Sequence, residues 1–317
     1  MRIAVTGSRG RLGSALMTAL GEAPFSGPAG PIGWSRPGFD LDRAAEVVAP
    51  LLDRDRPEVV IHAAAWTDVD GCALDPALAR SRNAAATGEL ARACAGRGVD
   101  LVLMSTNEVF DGCRTDGQGY APDDPVMPAN AYGASKLEGE RQATEAFTAG
   151  GRQEPGRPVR RPARLAIVRT AWLFGPGEPD FPRKILRAAA AALAAGSPLR
   201  VVADEWGTPT FSLDLAEAIV RLLAEDALTS PSQAVEIHHV VGTGVVSRAA
   251  WARDALSRVG IDLAVEEVPG SSWQRPSTPP PWAVLTPTAL PDGELLRPWQ
   301  AAMAEDAPAL RRAWRSR

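Results

Sequence analysis

Tyr132 and Lys136 are the residues whose types and spacing point most directly to chemistry. The chain has only two tyrosines and two lysines, and one of each lies in the run Tyr132-Gly133-Ala134-Ser135-Lys136. Four positions apart on a helix, the two side chains share one face. An ammonium beside a phenol stabilises the phenolate and lowers a pKa that is otherwise about 10. The pair predicts proton transfer at a carbonyl during hydride transfer; the alternative is a surface helix carrying an aromatic residue and a cation.

A glycine-rich loop follows the first apolar segment of the chain. Residues 2–6 have the pattern of a short buried strand, and residues 14–20 have a helical pattern. Between them stand Gly7, Gly10 and Gly13, with the spacing G-x-x-G-x-x-G. Glycine at these positions permits a tight turn, lets the backbone approach a pyrophosphate and lets the helix pack closely. The loop predicts a dinucleotide site, and a glycine turn without a ligand is the alternative.

Strand and helix patterns alternate through the first half of the chain. The predicted strands are 2–6, 31–34, 58–62, 99–104 and 165–169, and the predicted helices are 14–20, 41–53, 76–94 and 131–147. This alternation predicts an α/β fold with a Rossmann-type, doubly wound parallel sheet. In such sheets the ligand lies beyond the carboxyl ends of the strands, where the chemical motifs found above also lie.

The pattern becomes irregular beyond Trp172, which predicts a second, smaller unit. Residues 1–172 are expected to form the dinucleotide-binding domain, with a returning segment near 198–226. Residues 173–197 and 227–317 are expected to form a mixed α/β substrate-binding lobe. The elements predicted in this half are helices 182–195 and 213–223, a strand at 199–202 and a proline-rich segment at 276–281, while 148–164 is predicted as a solvated loop.

Composition permits a large core and excludes several classes of protein. A chain of 317 residues with 45% apolar content can bury a full α/β core. The net charge of -4 and the absence of a lysine-rich patch argue against nucleic acid as a partner. No apolar run approaches the length of a membrane span and the start lacks a signal-peptide pattern, so no membrane association and a cytoplasmic location are predicted.

The cysteines and histidines do not have the spacing of metal ligands. Cys72, Cys94 and Cys113 are odd in number and unpaired in spacing, which favours reduced, structural thiols. His62 ends an apolar segment, and His238 and His239 adjoin a valine-rich run. Hydrogen-bonded core histidines are therefore favoured over ligands, and no metal is predicted.

Longer motifs stand at the ends of the predicted strands and further along the chain. They are Ala63-Ala64-Ala65-Trp66-Thr67-Asp68-Val69-Asp70, Asn83, Ser105-Thr106-Asn107-Glu108-Val109-Phe110-Asp111-Gly112, Arg169-Thr170-Ala171-Trp172-Leu173-Phe174-Gly175-Pro176, Asp204-Glu205-Trp206-Gly207-Thr208-Pro209-Thr210 and Leu296-Arg297-Pro298-Trp299. Together they resemble the extended short-chain dehydrogenase/reductase superfamily and, within it, the dTDP-4-dehydrorhamnose reductase family. The resemblance covers residues 1–240 most clearly. It implies reduction of the 4-keto group of a nucleotide-linked, dTDP-type deoxysugar.

That resemblance implies the catalytic roles. Thr106 would hydrogen-bond the substrate carbonyl, Tyr132 would donate the proton, and Lys136 would hold the nicotinamide ribose and lower the tyrosine pKa. Ser105 is the adjacent alternative to Thr106, whose own alternative role is that of a hydroxyl capping the strand end. The expected substrate contacts are Ser105, Thr106, Asn107 and Trp172. For Trp172, ordinary core packing remains open.

The cofactor contacts implied by the resemblance lie at the glycine loop and at the strand ends. They are Gly7, Gly10, Arg11, Leu12, Gly13, Ser35, Arg36, Asp40, Leu41, Ala63, Ala64, Ala65, Met104, Tyr132 and Lys136. At the end of the second strand, an acid favours NAD and an arginine favours the 2′-phosphate of NADP. Because Ser35-Arg36 stands there and a guanidinium suits phosphate, NADPH is predicted. NADH remains an alternative, in which Arg36 is an exposed loop residue.

Several departures from the family pattern affect the predicted substrate. The usual Thr-Asp-Tyr is Thr106-Asn107-Glu108, the expected Asn-Phe pair is Asp180-Phe181, and a C-terminal Arg-Pro segment is replaced by Pro279-Pro280-Pro281-Trp282. A nucleotide-linked 4-ketosugar other than dTDP-4-dehydrorhamnose is therefore predicted as the best substrate. A nucleotide-sugar epimerase and a non-catalytic NADP-binding regulatory subunit are the alternative functions, and a homodimer is one expected assembly.

Overall fold

A parallel sheet of six strands forms the centre of the molecule. The computed structural model describes residues 1–149, 162–177, 179–230 and 233–316. Its strands are β1 (Ile3–Thr6), β2 (Ile32–Trp34), β3 (Val59–His62), β4 (Asp100–Thr106), β5 (Leu165–Thr170), β6 (Leu173–Phe174), β7 (Leu199–Val202), β8 (Trp206–Gly207), β9 (Thr210–Phe211), β10 (Val235–His239), β11 (Val246–Ser247), β12 (Val265–Val268) and β13 (Trp282–Ala283). The main sheet has the order β10-β5-β4-β3-β1-β2, and every neighbouring pair is parallel.

Helices cover both faces of this sheet. The helices are α1 (Arg11–Glu22), α2 (Ala44–Asp55), α3 (Val69–Leu74), α4 (Pro76–Ala79), α5 (Ala86–Arg97), α6 (Ala131–Thr148), α7 (Phe181–Ala195), α8 (Ser212–Ala224), α9 (Arg248–Val259) and α10 (Trp299–Arg315). Ile3 and Val5 of β1 pack with residues of α1 and α8. Ala4, between them, packs with residues of α2, α5 and α6 on the opposite face. Side chains alternate in this way because consecutive residues of a strand point to opposite faces.

The predicted α/β fold is confirmed, and most predicted elements lie where the sequence placed them. Each of the five strands predicted in the first half is present, with boundaries shifted by no more than a few residues. The helix predicted at 76–94 is divided, because α4 continues into a π-helical segment, Arg80–Ala85, before α5 begins. The helix predicted at 41–53 begins as a short 3₁₀ turn, Leu41–Arg43. Most of the loop predicted at 148–164 lies outside the described residues.

Two segments of the predicted domain division need correction. Residues 235–239 were assigned to the substrate lobe, but β10 pairs with β5 along its whole length and forms an edge of the main sheet. Residues 199–202 were expected to return to the first domain, but β7 pairs with β12 and packs in the cluster formed by α7, α9 and α10. In contrast, α8 does return, since it packs on α1. Long-range strand pairing, which local patterns do not encode, decides both corrections.

No helix among the described residues is long and apolar enough to cross a membrane.

Two buried histidines make the stability of the fold depend on pH. Burial, with the nearby Lys136 charge second, lowers the pKa of His62 to about 3. Burial, with Arg169 second, lowers the pKa of His239 to about 4. Both lie in strands as hydrogen-bonded core residues: His62 contacts the hydroxyls of Thr6 and Thr87, and His239 contacts the carbonyl of Tyr120.

Lowering the pH from 7 to 5 should therefore destabilise the fold by about 2 kcal/mol per buried histidine. The unfolded chain takes up protons below pH about 6.5, whereas the folded histidines resist protonation until the pH approaches their lowered pKa values. Urea unfolding at both pH values measures this loss. His239→Gln should show a smaller difference between the two pH values, and an equal unfolding free energy at pH 5 and 7 in the wild type would contradict the prediction.

Candidate active site

The loop between β1 and α1 forms a cradle that only glycine can line. Gly7 has φ +64°, and its carbonyl accepts a hydrogen bond from the Gly10 amide at 2.8 Å. A side chain at Gly13 would place its Cβ 2.0 Å from the Gly7 oxygen, and one at Gly7 would lie 2.9 Å from Ala64. Helix α1 begins here with no side-chain cap and no acidic residue in its first turn. These open amides and the close turn fit the pyrophosphate of a dinucleotide.

A cavity of about 700 Å³ lies beside this cradle, at the carboxyl ends of β1, β2 and β3. Its lining residues are Gly7, Arg9, Gly10, Ser35, Arg36, Phe39, Asp40, Leu41, Asp42, Ala63, Ala64, Ala65, Trp66 and Arg82. Nine of the predicted cofactor residues are in this lining. The other predicted contacts, at Arg11, Leu12, Gly13, Met104, Tyr132 and Lys136, are not in it.

The prediction missed the charged residues contributed by the elements on either side of the cavity. Arg82 binds Asp42 through two hydrogen bonds of 2.7 Å and lies over the Trp66 ring. The Arg82 hydrogen bond, the largest cause, and the charges of Arg82 and Arg36 lower the pKa of Asp42. No local motif marks Arg82, because it reaches the cavity only through the packing of its helical segment beside Asp42.

The Arg11 side chain has a structural role, and the contact of Arg11 with the pyrophosphate stays a prediction. Its guanidinium donates to the carbonyls of Gly175 and Pro176, and it lies 3.4 Å from the Asp180 carboxylate. The side chain therefore connects the start of α1 to the loop before α7, and only its backbone amide is placed to serve an anion at the cradle.

Thr106, Tyr132 and Lys136 come together at the carboxyl end of β4. Thr106 is the last residue of β4, and its hydroxyl is hydrogen-bonded to that of Tyr132 on α6. Lys136, one turn further along α6, donates from Nζ to the Met104 carbonyl at 2.8 Å. All three side chains are buried. The structure thus assembles a phenol, a hydroxyl and an ammonium at the strand end next to the dinucleotide cavity.

Comparison with known proteins decides the family. The model of the RmlD substrate binding domain family matches residues 1–311. The chain belongs to this family. It is 34% identical to a dTDP-4-dehydrorhamnose reductase of Streptomyces griseus over 310 residues, which cover 96% of this chain and 93% of the relative. It is 30% identical to a dTDP-4-keto-6-deoxy-D-glucose reductase of Streptomyces niveus, with 96% of each chain covered.

A solved member of the family has the same fold. The structure of dTDP-4-dehydrorhamnose reductase from Bacillus anthracis in complex with NADP superposes with a TM-score of 0.79 at 27% identity. The match covers 96% of this chain and 97% of that one. The family resemblance stated from the sequence motifs is therefore confirmed.

The pKa of Tyr132 is raised in the structure, whereas the sequence predicted that it would be lowered. Burial is the largest cause that raises the tyrosine pKa, the Glu108 charge raises it further, and the Thr106 hydrogen bond lowers it. The expected lowering by Lys136 is not seen, because the Lys136 ammonium is held by the Met104 carbonyl. Burial also lowers the pKa of Lys136 to about 8. Tyr132 is consequently protonated near neutral pH and suited to donate its proton.

The side chains at the neighbouring predicted positions serve the structure. Asn107 is buried, accepts from the Thr106 hydroxyl and donates to the Ala283 carbonyl at 3.1 Å. Its amide thereby holds β13 against the end of β4, and a direct contact of Asn107 with substrate stays a prediction. The Ser105 hydroxyl is buried without a hydrogen-bond partner in the described part of the chain. Thr106, not Ser105, therefore occupies the hydroxyl position beside Tyr132, and it also accepts from the Glu108 amide.

Trp172 is partly buried and packs against the core of the C-terminal half of the chain. Its ring stacks on Trp251 with centroids 5.6 Å apart, and the Arg248 guanidinium lies 3.5 Å from its centre. Its backbone φ of +42° is rare for a residue with a side chain, and such conformations concentrate at functional sites. The packing alternative is present in the structure, while contact with the sugar stays a prediction.

Three charged residues, Glu205, Arg248 and Arg275, form two ion pairs that share the carboxylate of Glu205. Arg275 forms an ion pair with Glu205, whose other oxygen is 3.6 Å from Arg248. Burial is the main cause that lowers the pKa of Arg248 to about 10, with Glu205 and Glu108 opposing it, so its guanidinium stays charged at neutral pH. A guanidinium can bind phosphate oxygens through two parallel hydrogen bonds. The motif around Glu205 indicated this region, but neither arginine was predicted.

Proposed function

We propose that this protein reduces the 4-keto group of a nucleotide-linked 6-deoxyhexose with NADPH. The observation that carries the proposal is the cluster of Thr106, Tyr132 and Lys136 at the end of β4, beside the glycine cradle. The chain that holds this cluster matches the reductase family over nearly its whole length. The names of the relatives from Streptomyces and the NADP complex of the Bacillus anthracis protein support the same reaction class. A cytoplasmic location and a homodimer remain predictions.

The residues present fit NADPH at the cavity and cradle. The amides at the start of α1 would hold the pyrophosphate, the lining at Asp40 and Leu41 would meet the adenine, and Ser35 and Arg36 would hold the 2′-phosphate. Bound there, the cofactor supplies the hydride. The chain's own groups manage the oxygen of the substrate carbonyl: Thr106 orients it by a hydrogen bond, and Tyr132 donates a proton to it as negative charge develops.

The two arginines Arg248 and Arg275 could bind the diphosphate of a nucleotide-linked sugar. Arg248 and Arg275 place two guanidinium groups near the charge of Glu108, and Arg248 lies over the Trp172 ring. Binding a diphosphate remote from the carbonyl supplies free energy that orients the small ketosugar. The enzyme should therefore prefer a nucleotide-linked sugar over the free sugar by orders of magnitude. The replacements at Asn107, Glu108 and Trp282 favour a best substrate other than dTDP-4-dehydrorhamnose.

An absorbance assay tests the proposed function. The enzyme is mixed with NADPH and a panel of nucleotide-linked 4-keto-6-deoxyhexoses, with the corresponding free ketosugars as matched controls. Loss of NADPH absorbance only with the nucleotide-linked members is the expected result. Conversion without NADPH consumption would favour an epimerase, and tight cofactor binding without any turnover would favour a regulatory protein. Equal rates with free and linked ketones would contradict the nucleotide-sugar assignment.

The choice between cofactors has its own prediction. Arg36→Ala should weaken NADPH binding by about 1.5–3 kcal/mol, because a charge-assisted contact to the 2′-phosphate is lost, and should leave NADH binding nearly unchanged. Fluorescence titration with each cofactor measures the two effects. Arg43→Ala, which removes an exposed arginine paired with Glu46 outside the cavity lining, is the matched control. Equal losses for NADPH and NADH in the Arg36 variant would show that Arg36 serves the loop instead.

A further inference from the structure

Glu108 is connected to the Tyr132 hydroxyl through the hydroxyl of Thr106. It follows β4 in a short 3₁₀ turn, Asn107–Val109, and its amide donates to the Thr106 hydroxyl at 3.2 Å. That hydroxyl is in turn hydrogen-bonded to Tyr132. The Glu108 backbone also packs tightly on α6, since a Cβ at Gly133 would lie 1.9 Å from the Glu108 carbonyl oxygen. The position of Glu108 relative to the reacting groups is therefore closely determined.

The carboxylate of Glu108 is oriented by Asn130 at the start of α6. Its Oε2 accepts from Asn130 Nδ2 at 2.6 Å. Asn130 is itself held, because its Oδ1 caps α6 at the Gly133 amide and its Nδ2 also donates to the Thr278 carbonyl. Within the described residues Oε1 makes no hydrogen bond, so one carboxylate oxygen is available for another partner.

The surroundings make this carboxylate a stronger base than an exposed glutamate. Burial, the largest cause, raises the pKa of Glu108, while the Asn130 hydrogen bond and the charges of Arg248 and Arg275 lower it and Glu205 raises it. The negative charge of Glu108 also raises the pKa of Tyr132. A second acid–base group thus lies two residues beyond Thr106, and the residue that caps the helix of Tyr132 holds it in place.

We propose that Glu108 removes and returns a proton on the carbon next to the C4 carbonyl, so that the enzyme exchanges this hydrogen with solvent as well as reducing the ketone. The inference rests on the proposed function, because the carbonyl must be held at Thr106 and Tyr132. In a 4-keto-6-deoxyhexose, the carbons next to the carbonyl are C3 and C5, and each carries a hydrogen made acidic by the ketone.

The step balances without any further reactant. The C–H bond breaks, its proton passes to Oε1 of Glu108, and its electron pair moves into the C4 carbonyl to form an enolate. Hydrogen bonds from Tyr132 and Thr106 stabilise the charge on the enolate oxygen. Glu108 exchanges its proton with water and protonates the same carbon, which restores the ketone. Because the same carboxylate removes and returns the proton, the configuration at that carbon is retained.

Deuterium incorporation tests the proposal. Full-length enzyme loaded with NADP⁺ is incubated in D₂O with dTDP-4-keto-6-deoxyglucose, and proton NMR follows the C3 and C5 signals. We expect the wild type to exchange one of them well above the rate in buffer. Glu108→Gln should lower that rate by at least about 100-fold, since the amide still accepts from Asn130 but cannot take the proton. Glu145→Gln, an exposed charge loss on α6, is the matched control and should exchange like the wild type.

Parallel measurement of NADPH consumption separates this proposal from the proposed function. A wild-type enzyme that reduces the ketone without exchange above the buffer rate would overturn the role of Glu108 and leave the reductase intact. Exchange that is unchanged in Glu108→Gln would overturn it as well. Exchange by the wild type without any reduction would support Glu108 and contradict the reductase instead.

Discussion

Tyr132→Phe is expected to lower turnover by at least about 100-fold while NADPH affinity stays nearly unchanged. The substitution removes the hydroxyl that hydrogen-bonds Thr106 and that donates the proton to the carbonyl oxygen. The ring and its packing on α6 remain. Because burial keeps this phenol protonated near neutral pH, its hydroxyl carries the proton that the reaction needs. Steady-state rates with the best nucleotide-linked ketosugar, together with NADPH titrations, measure the two quantities.

Tyr120→Phe is the matched control, since Tyr120 is the only other tyrosine of the chain. Its hydroxyl donates to Asp111 at 2.5 Å and its ring stacks on Phe110, away from the Thr106 hydroxyl. Its loss should leave turnover within a few-fold of the wild type. A Tyr132→Phe enzyme with turnover similar to that of the control would remove Tyr132 from the mechanism.

Arg169→Met should destabilise the fold by about 3–5 kcal/mol, because it leaves the Glu140 charge buried without its partner. Arg169 on β5 donates to both carboxylate oxygens of Glu140 on α6, at 3.1 and 2.8 Å, and also to the Pro122 carbonyl. Both side chains are almost fully buried. The ion pair therefore holds the helix that carries Tyr132 and Lys136 against the sheet, and urea unfolding measures its loss.

The double variant Arg169→Met/Glu140→Leu should recover most of that stability, because neither charge is then left unpaired in the core. Arg92→Met, which breaks the exposed pair with Glu89 on α5, is the control and should cost no more than about 1 kcal/mol. If Arg169→Met costs no more than this surface control, the buried pair does not hold α6 in place.

Local sequence patterns were sufficient for the features that depend on neighbouring residues. Apolar runs predicted β1, β3, β4 and β5 because these strands are buried on both faces, whereas the edge strand β2 is partly exposed. Glycine spacing predicted the cradle, because the backbones of Gly7 and Gly13 approach each other so closely that no side chain fits between them. The offset of Tyr132 and Lys136 predicted a shared helical face, since helix geometry alone determines it.

Other features depend on residues distant in the chain, so local patterns could not predict them. The pairing of β10 with β5 joins segments about 70 residues apart and places residues 235–239 in the main sheet. The cavity contact between Arg82 and Asp42 likewise arises only when two helical segments pack together.

Sequence by itself determined the fold class, the glycine loop and the shared helical face of Tyr132 and Lys136, because short-range spacing and burial patterns suffice for them. The role of Thr106 came from the resemblance of longer motifs to a known family. Only the tertiary structure decided the direction in which the pKa of Tyr132 shifts and the orientation of the Glu108 carboxylate. A pKa depends on desolvation and on every charge nearby, and here those come from β4, α6, α9 and the segment that carries Arg275. The same residues in an exposed helix would have ordinary pKa values, so the folded environment, rather than the residue types, sets their chemistry.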